Sequence, residues 1–435
     1  MLCIFGLFFL IFPPYILVFG VVIKTAYFFI FIPSMIGFRQ FVKRLHKNRI
    51  MKNVVVSMVV GVFYLVLVSA CGFFSDLSAV YQMVLGFIIF FAASFYARLH
   101  QNTYGERFIL NIFWNLNTAG FIHAVILMLT FLSPEFKDFL YSFISVSDKS
   151  MKYLFGDSAG FRFQGIVASG FSFLSTTHAL LLVAGVWAYY MEERKRGIFS
   201  TLFFISRQLI LVVSLILIGR TGFVVLLIFF IMLFLWRGWR KISGLKATGK
   251  SVRLLIPSVL LILVGLMSID LDKYVRNAKF AFEAYFNYLE YGTFSSKSTD
   301  QLLQNEYFLP PEFFQKLYGT SNFGRGEDYI FSDVGYVLFI HGAGIIGMII
   351  AFCFYFVGFY YAFRYRKKLG FFSTFMMGFF VMLCILNFKD YYFLDYSGFC
   401  QIYFLLVCSL AFYVSSSRPP SAVDQTRRIL NESTC

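Results

Sequence analysis

The chain has 435 residues, 59% of them hydrophobic and only 14% charged, with a net charge of +16. A soluble core of this size has no use for so large an apolar surplus, which points to an integral membrane protein. The basic excess would fit a nucleic-acid partner, but its distribution along the chain explains it without one and excludes that class.

About twelve apolar runs are long enough, or nearly so, to cross a bilayer core that needs roughly 20 helical residues. They lie at about 2–21, 25–38, 53–73, 77–97, 109–132, 168–190, 199–219, 221–236, 254–270, 334–362, 370–387 and 396–414. Backbone groups in lipid must be satisfied internally, so each run predicts a helix. The expected fold is an all-α polytopic membrane helix bundle with about twelve transmembrane helices and a large outer helical loop. MLCIFGLFFL lacks a basic leader and a cleavage site, and predicts a retained first helix. With both ends of the chain in the cytoplasm, the inner segments hold 24 of the 38 Lys and Arg but five of the 22 acids. That is the positive-inside pattern, which fixes the expected orientation.

Three regions follow: 1–270, nine spans including an outer loop at 133–167; 271–333, the largest outer segment; and 334–435, three spans and a cytoplasmic tail. The segment from Tyr274 to Leu289 has helical apolar spacing suited to a membrane surface. Pro310–Pro311 then lead into a second short helix, EFFQKLYG. No internal repeat is evident, so an inverted-repeat transporter gains no support. No metal motif or cofactor fingerprint stands in the loops, and none is expected.

The densest motif is SNFGRGEDYIFSDVGYVLFIHGAGIIG at 321–347. Gly324 and Gly326 flank Arg325, a turn that lets backbone N–H groups and a guanidinium face one ligand. Asp328 and Asp333 follow, and Gly342, Gly344 and Gly347 suit close helix packing. The bland alternative is a glycine-rich loop with solvated charges. GRTG at 219–222 leaves almost no room for a loop. Its Arg220 is either an interface anchor or a bidentate clamp for phosphate. Arg162, in FRFQG, and Arg276 invite the same comparison. Arg207 falls inside a span, where an arginine points to a partner, a cavity or the interface. His123 and His178 read as packed core residues. His341 is a weaker catalytic candidate near the glycine-rich turn. Asp333 is either a proton acceptor or a helix cap.

The arrangement resembles the bacterial O-antigen polymerase family, more distantly the O-antigen ligases. The resemblance rests on the second long outer segment followed by GRGEDYIFSDVGYVLFIHGAGIIG, on GRTG, where Gly219 replaces the usual Ser, on FRFQG, and on Arg276. In related ligases a His stands where Asp333 stands here. The resemblance implies a transferase in the bacterial cytoplasmic (inner) membrane, acting in lipopolysaccharide or other polysaccharide biosynthesis. It would move a glycan from undecaprenyl diphosphate onto a lipid-linked repeat unit at the outer face. Asp333, Arg220, Arg325 and His341 would be catalytic, and Arg162, Arg276, Asp328, Gly324 and Gly326 would bind substrate. Membrane lipids, a chain-length regulator and a flippase are the further partners it implies. Two alternatives are a ligase-like glycan transferase and a lipid-linked oligosaccharide flippase. The grouping of the candidate charges outside the bundle favours transfer over transport.

Overall fold

The computed structural model describes residues 1–44, 48–72, 76–155, 163–167, 170–192, 197–242, 283–293, 297–324, 330, 332–393 and 398–416. In chain order the helices are α1 (Leu2–Ile11), α2 (Ile32–Arg44), α3 (Arg49–Cys71), α4 (Ser78–Tyr104), α5 (Phe108–Leu132), α6 (Pro134–Phe143) and α7 (Asp148–Phe155). They continue with α8 (Phe171–Met191), α9 (Ile198–Ile218), α10 (Thr221–Ile242), α11 (Glu283–Tyr291), α12 (Lys297–Asn305) and α13 (Phe313–Tyr318). The last four are α14 (Gly335–Arg364), α15 (Arg366–Leu369), α16 (Phe371–Leu386) and α17 (Phe399–Ser416).

Among the described residues, six helical stretches are long and apolar enough to cross a membrane. One of them, Ser78–Leu132, is folded back on itself. Asn115 Nδ2 lies 3.0 Å from His100 Nε2 across 15 residues, which in one straight helix would stand about 22 Å apart. Gly105, at φ 57°, makes the reversal, so α4 and α5 are an antiparallel pair. Three shorter apolar helices are Leu2–Ile11, Thr221–Met232 and Phe371–Leu386. The expected span at 254–270 lies outside the described residues.

The first expected span, 2–21, is not one helix. α1 ends at Ile11, and after Pro13–Pro14 the chain forms an antiparallel hairpin of β1 (Tyr15–Val18) and β2 (Val21–Lys24). Proline ends a helix and biases the residue before it toward extended backbone. Phe19 and Gly20, both at positive φ, close the turn. Ile16 bridges to Ile144 beyond α6, which holds the hairpin against the 133–167 loop. The second expected span, 25–38, becomes a π turn at Tyr27–Phe31 followed by α2, which packs on α4. Gly37 permits that approach, since a Cβ there would fall 2.0 Å from the Phe91 carbonyl oxygen.

α17 is the centre of the bundle. Its side chains from Phe399 to Phe412 are buried on every face, as expected of a helix apolar all round. On one side α4 and α3 pack on it and on each other, and α14 packs on α3 while its Phe354 and Tyr355 carbonyls accept the Tyr403 hydroxyl of α17; α5, α8, α9 and α10 form the other side. Asn48 caps α3 through Met51 N and reaches the Ala411 carbonyl and Ser415 of α17. Arg98 lies over Phe412, and Arg107 and Lys368 line one cavity with Tyr413. These bases stand at one end of the bundle, where Glu106 and Glu192 line the same cavity. The opposite end gathers Asp76, Glu283, Glu306, Asp333 and Asp390.

α14 is broken. Gly344 has φ 70° and ψ −179° inside it, a conformation open essentially to glycine alone. The carbonyls freed by the break are taken from outside the helix. Thr320 N donates to His341 O at 2.7 Å, Ser321 N to Gly342 O at 2.9 Å, and the Tyr64 hydroxyl to Ala343 O at 2.8 Å. Gly342 and Gly347 do provide close packing, against Phe323 and Tyr64 respectively.

Candidate functional site

The glycine-rich motif is anchored from below by a carboxylate. Asp76, buried between α3 and α4, accepts Phe323 N at 3.0 Å through one oxygen and Ser78 N at 2.8 Å through the other. Gly324, at φ 75°, turns the chain beyond Phe323. Arg325, Gly326 and Asp328 lie outside the described residues, as do Arg162 and Arg276.

Asp333 is exposed where the chain approaches α14. It does not cap that helix. Val334 holds the N-cap position without a side-chain cap bond, the Asp333 backbone N–H goes to Glu306 Oε2 at 2.8 Å, and Val334 N goes to Ser332 Oγ. The Asp333 side chain instead lines a cleft of about 190 Å³ with Ser78, Gln82, Phe173, Phe323, Leu338, Asp390 and Tyr391. Two carboxylates thus share one space at the acidic end. His341 is not among these residues. Its ring packs edge-on against Phe308, 5.3 Å away between centroids.

The second carboxylate, Asp390, belongs to a polar network that sequence reasoning missed. Ser172, at the start of α8, donates to Asp390 Oδ2 at 2.6 Å and stands 3.0 Å from the Thr221 hydroxyl. Lys389 donates to the same Thr221 oxygen at 3.0 Å. Thr176 gives its proton to the Ser172 carbonyl, so at 2.7 Å the Tyr392 hydroxyl donates to Thr176. Tyr307 donates to the Phe388 carbonyl beside this loop. Burial, then the Glu306 carboxylate, raise its phenol above the ordinary value, so it stays a donor.

The GRTG turn is set by Ser175, whose hydroxyl donates to Gly219 O at 2.5 Å and accepts Gly222 N at 2.9 Å. Gly222 is needed there, because a Cβ would fall 2.6 Å from that oxygen. The turn projects Arg220, which pairs with Glu283 of α11 at 2.7 Å. Both side chains are about a quarter exposed (20% and 26%), so the pair adds little to stability. It shows instead that this guanidinium already takes a carboxylate. Arg220 adjoins Thr221, and through it Lys389, Ser172 and Asp390. Arg220 is thus the chain neighbour of a network that forms one wall of the Asp333 cleft, while its own guanidinium is turned to Glu283.

Arg207 is held within the bundle. Its Nη2 donates to Asn117 Oδ1 at 2.9 Å and to Thr118 Oγ1 at 2.8 Å, and the guanidinium lies over Phe121 and Phe203. Gln208 also reaches Asn117, and Gly185 leaves the space that the amides fill. These contacts are a structural use of the charge. Asn117→Leu removes the charged hydrogen bond and should cost about 1.5–3 kcal/mol, read as a lowered midpoint in thermal unfolding of the purified protein. An unchanged midpoint would refute that use.

His123 and His178 form a buried chain ending at Ser214. Ser214 donates to Leu211 O at 2.6 Å, so His178 Nδ1–H must donate to Ser214, and His123 Nδ1–H to His178 Nε2, at 2.7 and 2.8 Å. His178 is the neutral Nδ1–H tautomer in that arrangement, and His123 stacks on Phe12. They are core residues, as their apolar setting predicted. Comparison of the sequence with protein-family models finds no match, and comparison with curated proteins finds none.

Proposed function

We propose that the chain is an O-antigen-type polysaccharide polymerase of the bacterial inner membrane. It would be a glycosyltransferase that uses an undecaprenyl-diphosphate-linked donor and a lipid-linked acceptor. Twelve crossings, cytoplasmic termini and a periplasmic acidic end belong to the same proposal. The sequence motifs suggest the family. The observation that carries the reading is the cleft at the acidic end, where Asp333 and Asp390 face one space and Asp390 is tied through Ser172 and Thr221 to Lys389, with Arg220 next to Thr221 along the chain.

In the proposed reaction an acceptor hydroxyl attacks the anomeric carbon of the donor sugar. The bond from that carbon to the diphosphate oxygen breaks, and the hydroxyl proton passes to the Asp333 carboxylate. Arg220 stabilises the departing diphosphate with paired hydrogen bonds, the anion taking the place of Glu283. Lys389 adds a second positive charge one residue from the cleft. Cationic side chains perform this task without a metal in the proposed scheme. Holding donor and acceptor in one cleft supplies the orientation that transfer requires.

Glycan analysis of a clean deletion strain tests the proposal. Loss of a polymerase leaves single repeat units on the final acceptor, and restoring the gene restores long chains. A deletion strain whose final acceptor carries no glycan would indicate a ligase or flippase instead. Unaltered long chains would end the proposal.

A further inference from the structure

We infer that the β1–β2 hairpin is an interfacial membrane anchor, its tip entering the boundary between headgroups and acyl chains at the acidic end of the bundle. The bilayer itself is the partner, whatever reaction the bundle performs.

The hairpin leaves the bundle where α5 ends. Phe12 stacks on His123, nine residues before Leu132 closes α5, and so about 14 Å below that end. Pro13, Pro14 and Tyr15 carry the chain onward. Ser145 N, beyond α6, donates to Tyr15 O at 2.7 Å, and Ile16 bridges to Ile144. The strands are therefore held beside the last turn of an apolar helix.

Both faces of the hairpin are apolar. Paired residues share a face, so Leu17 and Val22 lie on one, and Ile16, Val18, Val21 and Ile23 on the other. All but Ile16 are exposed, Val21 to 64%, and the Phe19 ring is fully exposed. A protein docked on one face would leave the other in water, where an exposed apolar strand is an aggregation site. Acyl chains cover both faces. The open end has the complementary chemistry. Lys24, the one charge in 15–24, lies over the Tyr15 ring at 5.3 Å, and such side chains anchor at headgroup level. Depth follows from length. A crossing strand needs about 9–11 residues, and hydrocarbon does not tolerate an open sheet edge. Strands of four residues fit the interface.

The turn adds an independent observation. Phe19 and Gly20 have φ of 50° and 80°, the left-handed pair that Asn-Gly satisfies best in a two-residue turn. A bulky residue is strained there. Phe is a poor turn former but a good occupant of a lipid boundary, so the strain points to a use for the ring outside the hairpin.

The test uses the full-length protein in nanodiscs of phosphatidylethanolamine and phosphatidylglycerol. These are doped with phospholipid carrying a diazirine either near the glycerol or at the acyl terminus, and carbene adducts are mapped by mass spectrometry. Val18–Val21 should be labelled at least about fivefold more by the glycerol-proximal probe, as insertion of roughly 5–10 Å requires. Phe63, 65% exposed on α3, is the reference for lipid contact. Phe19→Asn suits the left-handed turn and removes the ring. Its thermal midpoint in detergent should hold or rise, while tip labelling falls about fivefold or more. An unlabelled tip beside a labelled Phe63 would put the hairpin in water, open to a protein partner, and overturn the anchor. Stronger labelling by the terminal probe would overturn the interfacial depth. Unchanged tip labelling in Phe19→Asn would overturn the part given to the ring. A lowered midpoint would do the same, because the ring would then be packing within the protein.

Discussion

Asp333→Asn should lower the rate of glycan polymerisation about 10²- to 10⁴-fold, the usual range for loss of a general base. Protein abundance should stay near normal. Asn is nearly isosteric with Asp but a poor proton acceptor. The structural alternative of a lost helix cap does not apply, because Val334 is the N-cap and Glu306 and Ser332 take the neighbouring N–H groups. Chain-length distributions from cells carrying the variant, with membrane levels measured in parallel, give the result. Full-length glycan at the normal rate would remove Asp333 as the base and leave Asp328 and His341 to be tried.

Gly344→Ala should be a severely damaging change. The residue sits at φ 70°, a conformation that costs a non-glycine residue about 1–3 kcal/mol. A Cβ would also fall 2.3 Å from the Leu317 carbonyl oxygen, and forced overpacking adds about 1–3 kcal/mol. The two effects share one source of relief, movement of the 317–321 segment, so they need not sum. A loss of about 2–5 kcal/mol is expected, seen as a large fall in the thermal midpoint and in membrane abundance. Gly197→Ala is the control: its φ is −68° and a Cβ there meets nothing within 4 Å. Equal behaviour of the two variants would mean that the break in α14 is not required.

Long apolar runs made the major crossings legible, since composition and length decide between lipid and water. α3, α8, α9 and α17 fall within a few residues of their expected bounds. The hairpin at Tyr15–Lys24 was hidden because an apolar strand and an apolar helix have the same hydropathy. Pro13, Pro14 and Gly20 were the available signals against a continuous helix. The break at Gly344 was hidden too, because GAGIIG reads equally well as a packing face, and only the carbonyl partners at Thr320, Ser321 and Tyr64 distinguish the two.

At the site, Asp333 and Arg220 could be singled out because each stands beside a glycine-marked turn. Asp76, Glu306, Asp390 and Lys389 could not. They are acids and a base in ordinary short loops, and they acquire meaning from partners such as Phe323 N, 247 residues from Asp76. Asn117 was likewise missed as the partner of Arg207. An amide in one helix gives no local sign of the cation it will meet 90 residues later.

The cleft behaves mechanically as a clasp. One jaw carries Ser78, Gln82, Phe323 and Leu338, and Asp76 ties its two strands of chain together. The other carries Phe173, Asp390 and Tyr391, tied by Ser172. The jaws meet where Tyr336 N donates to Asn387 O, and where Gly335 sits so close to Asn387 that a Cβ would fall 2.5 Å from its Oδ1. Each jaw is stapled within itself, and rings close the seam between them, Phe339 stacking on Tyr391 and Tyr336 lying against Phe388 and Phe393. A side chain at position 335 would therefore press on Asn387, Asp390 and Tyr391 together, and shift the wall that carries the second carboxylate.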